Sequence, residues 1–558
     1  MKKFIIAIAG ILSLSLVSCA DFLDENNKSN APADTYYASD AGYESLVNSC
    51  YATLRTVFGG NCEIFEAGTD LFQIGKSNLS STNNGLANYK NLSTADGVVQ
   101  SFYTNAFSAI KRCNDAIHYS TGHSPARLAE VRFLRAFYYF QLVQQFGGVA
   151  LVTDFLDKPI SDYPRNTSKE VYSFIISEME AALPNLAAAG STPDGRVNKR
   201  VANHYLALVY LTRGYDSAAG GTSADFTQAI TYATAAINNQ ALTLPFQGTP
   251  SSQGVFWPGN EKNAEIIFAV QYSAASLAST TSGSAQGSYF GAYLGGADAS
   301  VLDGCPSINT VLQPTAHLYM LLASDPTDTR FSSTFMQTVY GKTATQCSYY
   351  SYFKATPQTK NVTHYYPRPG STPADVAAWV AADPTNRTNA IVHYSGTNAT
   401  AWPSVLDYGF PNIMKFSDPS STFGQGTSTR DIFLARLAET YLIRAEAEIK
   451  ADGEGVSTRA MNDINVVRAR ANATPITVTN ATIAYILDER ARELVGEYHR
   501  WYDLKRTGTL TSLAPTYNPD IASVANMTGN DGQYRILRPI PQSAIALNGV
   551  TITQNPGY

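Results

Sequence analysis

The helical character of this chain is decided by residues 124–148, which read SPARLAEVRFLRAFYYFQLVQQFGG. Ser124 and Pro125 predict a helix start, because serine suits the N-cap and proline suits the first helical position. Apolar side chains then recur at three- and four-residue spacing from Leu128 to Leu142, which places them on one helix face. A glycine pair closes the stretch. The sequence therefore predicts a long amphipathic helix here.

Two further stretches, 201–213 and 226–238, predict a pair of neighbouring helices. The first carries Leu206 and Val209 on one face, and the second carries several alanines that let another helix approach closely. Two amphipathic helices that bury one shared face make up a tetratricopeptide repeat. We therefore expect tetratricopeptide-like helical pairs in the scaffold.

The second half of the chain changes character twice. Between 242 and 428, clusters of Gly, Ser, Thr, Asn and Pro indicate loops, and the run 265–270 indicates a short strand. Helical spacing then returns, and three helices are predicted at 431–450, 457–471 and 483–506. Glu446 and Lys450 stand four residues apart, where they would form a helix-stabilising ion pair. The remainder, 507–558, is predicted as loop.

The composition excludes disorder across the whole chain and argues against a nucleic-acid partner. Of 558 residues, 44% are hydrophobic and only 15% are charged, so a sizeable core is expected. The 40 basic and 45 acidic residues leave a net charge of −5. Nucleic-acid binding depends on concentrated positive charge, and the sequence has no long Lys/Arg run.

Residues 1–18 have the pattern of a secretory signal peptide. A short basic start precedes an apolar run at 4–17, which as a helix is too short for a hydrocarbon core of ~30 Å. The run ends at Leu16-Val17-Ser18-Cys19, which is similar to a bacterial lipobox, where the cysteine is diacylated before cleavage. A lipidated Cys19 would tether the mature chain without a spanning helix. An ordinary signal peptide with an incidental cysteine is the alternative.

The catalytic and metal-binding motifs that spacing can reveal are absent from the sequence. There is no HExxH, GxSxG, GxGxxG or DxDxDG pattern. Glu489 and Glu493 stand in an arginine-rich helix, where ion pairing is expected rather than acid–base catalysis. The five cysteines besides Cys19 show no zinc-ligand spacing, and we expect buried thiols: Cys50, Cys62, Cys113, Cys305 and Cys347. No cofactor is expected.

Four stretches, together with the lipobox, are similar to the SusD/RagB family of outer-membrane nutrient-binding lipoproteins of Bacteroidetes-type bacteria. They stand in family order and are AEVRFLRAFYYF (129–140) with FGGV (146–149), FLARLAETYLIRAEA (433–447), DERAREL (488–494) with HRWYDLKRTG (499–508), and PIP (539–541) with QNPGY (554–558). The sequence departs from the family pattern at Ala150, where proline is usual, and near Ala544, where an acidic residue is usual.

The resemblance implies a mainly α-helical fold. Tetratricopeptide-like pairs come from both ends of the chain, and a loop-rich middle region with short strands packs on them. The implied organisation is an N-terminal helical region at 19–241 and a C-terminal region at 242–558, in one compact globule. The C-terminal region would comprise a loop-rich part at 242–428, helices at 431–506 and a terminal loop at 507–558. Within the family motifs, Arg490, Trp501 and Asp503 are expected to serve helix packing and ion pairing.

The resemblance also implies a function at the cell surface. Family members are lipid-anchored to the outer membrane, where they capture an oligosaccharide without catalysis and pass it to a SusC-like TonB-dependent transporter. The implied partners are therefore this transporter, the oligosaccharide and the membrane. A peptide-binding member of the same family is an alternative, because it shares the scaffold. A glycoside hydrolase is disfavoured for want of a catalytic motif. Some family members hold calcium, for which this sequence has no motif.

Ligand contacts are expected on loops, because sugar C–H groups pack on aromatic rings and sugar hydroxyls need amide or carboxylate partners. The candidate residues share a loop setting and aromatic or polar character: Tyr289, Phe290, Tyr293, Tyr89, Asp70, Phe72, Gln73 and Trp257. The Gly/Ser-rich stretch 283–296 favours the first three, with simple loop packing as the alternative. For Trp257, core packing is the favoured interpretation.

Replacing Cys19 with alanine should remove the acyl anchor, because the cysteine thiol is the group that is acylated. In a bacterium that processes lipoproteins, the wild-type chain should incorporate labelled fatty acid and sediment with membranes. The Cys19→Ala chain should do neither. Equal labelling of the two chains would show that the lipobox interpretation is wrong.

Overall fold

A computed structural model describes residues 33–60, 62–75, 84–158, 160–190, 194–273, 283–290, 311–341, 361–395, 410–418 and 428–558. The predictions made for the signal peptide, Cys19, Tyr293, Cys305 and Cys347 lie outside these residues.

The N-terminal part of the chain is a series of helices that pack on one another. They are α1 Ala33–Tyr37, α2 Asp40–Phe58, α3 Glu63–Glu66, α4 Gly85–Asn88, α5 Gly97–His118, α6 Pro125–Phe146, α7 Ser168–Ala182, α8 Lys199–Gly214 and α9 Ser223–Ile237. Helices α5 and α6, α6 and α7, and α8 and α9 pack pairwise. The α8–α9 pair is the one that the sequence predicts at 201–213 and 226–238.

The middle of the chain contributes only short helices. They are α10 Gln286–Tyr289, α11 Ala316–Ala323, α12 Arg330–Thr334, α13 Pro373–Ala382 and α14 Pro384–Arg387.

Short strands are spread along the chain. They are β1 Phe72–Ile74, β2 Gly248–Thr249, β3 Ser252–Gln253, β4 Ile266–Val270, β5 Leu312–Pro314, β6 Phe335–Met336, β7 Thr338–Tyr340, β8 Val362–Tyr365, β9 Ile391–Val392, β10 Asn412–Ile413 and β11 Ile432–Arg436. Four antiparallel two-stranded ribbons form, β1–β5, β2–β3, β4–β11 and β6–β10. In a three-stranded sheet, β8 lies antiparallel to β7 and parallel to β9.

The C-terminal part returns to helices. They are α15 Leu437–Ala451, α16 Thr458–Arg470, α17 Ile483–Leu494, α18 Arg500–Arg506, α19 Leu510–Tyr517 and α20 Gln542–Ala546. Helix α9 packs against α15, so the N-terminal helical series continues directly into the C-terminal one.

One hydrophobic core is shared by both ends of the chain. Its largest cluster includes Phe65 and Phe137 from the N-terminal helices, Phe268 from β4 and Trp501 from α18. A smaller cluster joins Ile237 of α9 to apolar side chains of α15, α16 and α17. The predicted fold class, a helical scaffold with a loop-rich, strand-containing middle region, is confirmed.

Helix α6 lies at the centre of this core. It begins at Pro125 after Ser124 and ends before Gly147, which has a φ of 70°, as the sequence predicts. Every residue from 133 to 146 is buried. Helices α2, α5, α7 and α8 all pack against α6. This part of the helix is therefore enclosed on all sides.

The predicted helix at 431–450 is wrong at its start. Residues Ile432–Arg436 form strand β11, and Ile432 faces Val270 of β4 in the antiparallel register. All five residues are buried, and a short apolar run does not distinguish a buried strand from a buried helix. The partner strand β4, which is distant in sequence, decides between them.

The predicted helix at 483–506 is broken in the structure. Helix α17 ends at Leu494 and α18 begins at Arg500, with Gly496 at a φ of 73° and Tyr498 at a φ of 70° between them. A Cβ atom at Gly496 would lie 2.7 Å from a ring carbon of Phe416. Glycine therefore satisfies both the backbone turn and the close approach.

Two smaller predictions are also corrected. Glu446 pairs with Arg506 rather than with Lys450, because its side chain points into the buried space between α15 and α18. Lys450 pairs with Glu454 instead. The stretch predicted as terminal loop contains helices α19 and α20.

The arginine-rich helix α17 carries the carboxylates of a buried ion network, as expected. Glu493 contacts Arg436 of β11 at 3.0 Å, Arg330 of α12 at 3.2 Å, and Arg470 of α16. All four side chains are at most 1% exposed. Burial alone would raise the pKa of Glu493. The three guanidinium groups outweigh this effect and hold that pKa well below its ordinary value.

Replacing Glu493 with glutamine should lower the free energy of unfolding by about 3–5 kcal/mol, because three buried guanidinium groups lose their shared carboxylate. Urea unfolding at pH 7 measures this. A depressed carboxyl pKa contributes stability above the unfolded-state value of about 4.3 and loses it as pH falls through the folded-state value. The difference between the two chains should therefore shrink at strongly acidic pH.

Glu454→Gln is the matched control, because Glu454 is 58% exposed and pairs only with Lys450 among the described residues. It should change the free energy of unfolding by less than about 1 kcal/mol. Equal effects of the two substitutions would contradict the central role of Glu493.

Candidate functional site

Six of the predicted ligand-contact residues converge on the β1–β5 ribbon. The rings of Phe72 in β1 and Phe290 after α10 have centroids 4.7 Å apart. The Tyr289 carbonyl accepts a hydrogen bond from Val311 N at 3.2 Å, just before β5. The Tyr89 hydroxyl donates to the Gly68 carbonyl at 3.0 Å, just before β1. Asp70 lies just before β1 and Gln73 lies within it. The ribbon therefore joins stretches that are far apart in the sequence.

Burial removes most of these side chains from any ligand surface. Tyr89, Asp70, Phe72 and Phe290 are at most 1% exposed, Gln73 is 4% exposed and Trp257 is 6% exposed. A side chain enclosed by the core presents neither a ring face nor a polar group to a ligand. We therefore correct the predictions for these six residues: five belong to the scaffold beneath the β1–β5 ribbon, and Trp257 packs apart from it.

Two of the buried polar side chains among them, Asp70 and Tyr89, already have hydrogen-bond partners. Asp70 accepts two hydrogen bonds from Arg500 of α18, at 2.8 and 2.6 Å. The Tyr89 hydroxyl also accepts a hydrogen bond from the Trp501 indole nitrogen at 3.1 Å. These contacts tie the segment before β1 to the C-terminal helix α18. Trp257 lies apart from the ribbon, in the turn after β3, which fits its favoured interpretation as a packing residue.

Among the predicted contact residues that the structure describes, only Tyr289 stays partly exposed. Its hydroxyl donates to the Gly60 carbonyl, and burial raises its pKa above the ordinary value. Tyr289 remains a candidate contact at the edge of the β1–β5 ribbon.

The structure adds three residues at this ribbon that sequence reasoning missed. His317 of α11 and Tyr517 of α19 stack with centroids 3.8 Å apart and an interplanar angle of 13°. Asp520 accepts a hydrogen bond from Ile74 N at 2.5 Å, and burial raises the pKa of its carboxyl to about 6. Tyr517 and Asp520 lie in the stretch predicted as terminal loop, so no sequence signal placed them beside β1.

A second aromatic surface lies on the three-stranded sheet, and we call Tyr365, Trp379 and Arg387 the Trp379 platform. The rings of Tyr365 in β8 and Trp379 in α13 are nearly parallel, with centroids 3.8 Å apart and an interplanar angle of 3°. The guanidinium carbon of Arg387 lies 4.7 Å from the Trp379 ring centroid. All three side chains are half-buried, so part of each faces solvent.

Sequence reasoning missed the platform because none of its three residues is among the predicted loop contacts, and helix α13, which carries Trp379, is not predicted. Helix α13 has a capping box at Thr372 and Asp375, and Val376 is its one fully buried residue. The available signal in the sequence was a single tryptophan within the alanine-rich stretch 373–382.

Helix α11 connects the two surfaces. It begins directly after β5 and carries His317 near its start. Two residues later, the Tyr319 hydroxyl donates to the Pro367 carbonyl at 2.9 Å, and Pro367 lies two residues past β8. The β1–β5 ribbon and the Trp379 platform are therefore fixed to one short helix.

In the part of the chain that the structure describes, no group of three or more His, Cys, Asp or Glu side chains could hold a metal ion. Across the same residues, no helix is long and apolar enough to span a membrane. Cys50, Cys62 and Cys113 are buried free thiols, as expected.

Family models match both parts of the chain. The SusD family model matches residues 264–558, which is more than half of the chain. A second, SusD-like model, described as starch-binding and associating with the outer membrane, matches residues 21–211. The chain belongs to the SusD family.

Individual relatives agree with this assignment. The SusD-like protein P2 of Formosa agariphila is 25% identical over 590 residues, with both chains covered completely. The starch-binding protein SusD of Bacteroides thetaiotaomicron is 40% identical over 128 residues, which cover 23% of this chain and 22% of that protein. A solved structure of surface glycan-binding protein A from Bacteroides thetaiotaomicron, in complex with laminarihexaose, is 19% identical with a TM-score of 0.64 and covers 93% of this chain and 100% of that one. At this identity the structural likeness shows the fold.

Replacing Tyr89 with phenylalanine should lower the free energy of unfolding by about 1–3 kcal/mol, because the buried Gly68 carbonyl and Trp501 indole N–H would lose their partner. Urea unfolding measures the change. Tyr36→Phe is the matched control, since Tyr36 is 47% exposed, and it should have almost no effect. An unchanged stability of Tyr89→Phe would contradict its place in the scaffold.

Proposed function

We propose that this chain is a non-catalytic glycan-binding lipoprotein of the outer membrane, and that it delivers an oligosaccharide to a SusC-like TonB-dependent transporter. Membership of the SusD family supports this proposal, as does the binding of laminarihexaose by a protein of the same fold. The transporter as partner and the anchoring at Cys19 follow from the family resemblance, and the outer membrane also appears in the description of the matching family model.

The Trp379 platform is the observation that carries the glycan-binding part of the proposal. A sugar ring presents C–H groups on its faces, and these pack against an aromatic ring, while its hydroxyls bond to polar groups at the edge. Tyr365 and Trp379 supply partly exposed aromatic rings, and Arg387, whose guanidinium group lies over the Trp379 ring, supplies hydrogen-bond donors.

The β1–β5 ribbon offers a second part of the same glycan surface. Tyr517 and Tyr289 are partly exposed aromatics, and Asp520 provides a carboxylate that accepts from hydroxyls. Because α11 holds the ribbon and the platform on one element, an extended oligosaccharide that contacts both would meet a preorganised surface.

Replacing Trp379 with alanine should weaken glycan binding about tenfold, or about 1.4 kcal/mol, because the aromatic surface is removed. The measurement is calorimetric titration of the lipid-free mature chain with a polysaccharide panel that includes laminarin oligosaccharides, alongside a mixed peptide pool. The wild-type chain should bind a glycan with a Kd between micromolar and millimolar. Tyr36→Ala, which removes an exposed tyrosine of α1, should bind as the wild type does.

Three results would count against the proposal. Binding of peptides alone would move the assignment to a peptide-binding member of the family. Release of reducing ends from a bound glycan would show catalysis. Full glycan affinity in Trp379→Ala, with Tyr289→Ala also unaffected, would place the site elsewhere on the chain.

A further inference from the structure

A cavity of about 360 Å³ lies between helix α2, strand β4 and the segment before α8, and none of its described lining residues belongs to the β1–β5 ribbon or the Trp379 platform. Cavities that bind small molecules measure about 300–1,000 Å³, so this cavity has room for a small ligand. Its polar lining consists of Asn48, Tyr51, Arg55, Asp194, Arg196 and Gln271.

Arg196 is already neutralised within a closed ion network behind the cavity. Its Nη1 lies 2.9 Å from Glu130, and its Nη2 contacts Glu44 and donates to the Asn48 side chain at 2.8 Å. Arg127 pairs with the same two glutamates, at 2.5 and 2.8 Å. Two guanidinium groups and two carboxylates therefore balance, and no charge of this network is left to neutralise another group.

Arg55 has no such partner. Its Nε donates to the Gln271 carbonyl at 2.8 Å, which fixes the guanidinium group at the cavity wall. Its guanidinium carbon also lies 5.5 Å from the centroid of the Tyr272 ring. Among the described residues, no carboxylate forms an ion pair with Arg55. A guanidinium held at Nε keeps its two Nη atoms in the geometry that binds a carboxylate by two parallel hydrogen bonds.

The surrounding groups suit a ligand that also carries hydroxyls. Asn48 and Gln271 bring amide side chains to the cavity wall. Asp194 is the one carboxylate in the described lining, and it accepts a hydrogen bond from Arg196 N at 2.9 Å. Its remaining oxygen can accept from a hydroxyl. In an adjoining cavity of about 110 Å³, Arg200 has a buried Nη2 without a hydrogen-bond partner among the described residues, which adds positive charge.

We propose that this cavity binds a uronic-acid saccharide of one or two units, with the carboxylate on Arg55 and the hydroxyls on Asn48, Gln271 and Asp194. The site is distinct from the Trp379 platform and does not depend on glycan binding there.

The test is calorimetric titration of the mature chain with D-glucuronate, D-glucuronamide and D-glucose. Glucuronamide has the same shape as glucuronate without the charge, so it isolates the contribution of the carboxylate on the unmodified protein. Glucuronate should bind at least about tenfold more tightly than the other two. Its affinity should fall as salt is raised, because salt screens the ionic contact.

Substitutions then locate the site. Arg55→Gln should lose at least about tenfold in glucuronate affinity, and Arg55→Lys should retain more of it because the charge is kept. Arg112→Gln removes an exposed arginine of α5 and should bind glucuronate as the wild type does. Trp379→Ala should also retain glucuronate binding, so failure of the glycan proposal and failure of this one give different results.

Three outcomes would overturn the proposal. They are equal binding of glucuronate and glucuronamide, unchanged glucuronate affinity in Arg55→Gln, and binding of N-acetylglycine as tight as that of glucuronate. The last would indicate a site for any small carboxylate rather than for an acidic sugar.

Discussion

The structure depends on the buried carboxylate of Glu493, on which three arginines from distant parts of the chain converge. A carboxylate without partners would be costly in this environment, and so would each guanidinium group. Arg330 comes from the loop-rich middle, Arg436 from β11 and Arg470 from α16. The network therefore holds the middle region on the helical scaffold. It also explains why the chain turns sharply after α17, since that turn brings Glu497 to within 2.6 Å of Arg436.

A second link joins the two ends of the chain and supports the candidate glycan surface. Asp70, just before β1, is held by Arg500 of α18, and Tyr89 is held by Trp501 of the same helix. The β1–β5 ribbon consequently rests on the C-terminal part of the core. Its exposed edge is carried by a fixed scaffold, so binding there would cost little ordering of the protein.

The sequence predicts the helices better than it predicts their interruptions or the site. Residues 124–148 carry their own start, spacing and stop, so α6 can be predicted locally. Whether Ile432–Arg436 is a strand depends on β4, more than 160 residues earlier, and no local pattern contains that partner. Six of the eight predicted contacts converge on the β1–β5 ribbon, but burial of residues such as Phe72 depends on what packs over them. Trp379 was missed because residues 242–428 are predicted as loops, and no local pattern shows that helix α13 forms there and carries a half-buried tryptophan.

We propose that glycan binding occurs on the ribbon and the platform that α11 joins. Hydrogen–deuterium exchange of the mature chain, with and without its best-binding oligosaccharide, tests this most directly. With a neutral oligosaccharide as the ligand, exchange should slow at β8, α13 and α14, and around α10 and β5, with the N-terminal helices unchanged. Protection confined to α2–α9, with none at β8 or α13, would contradict it.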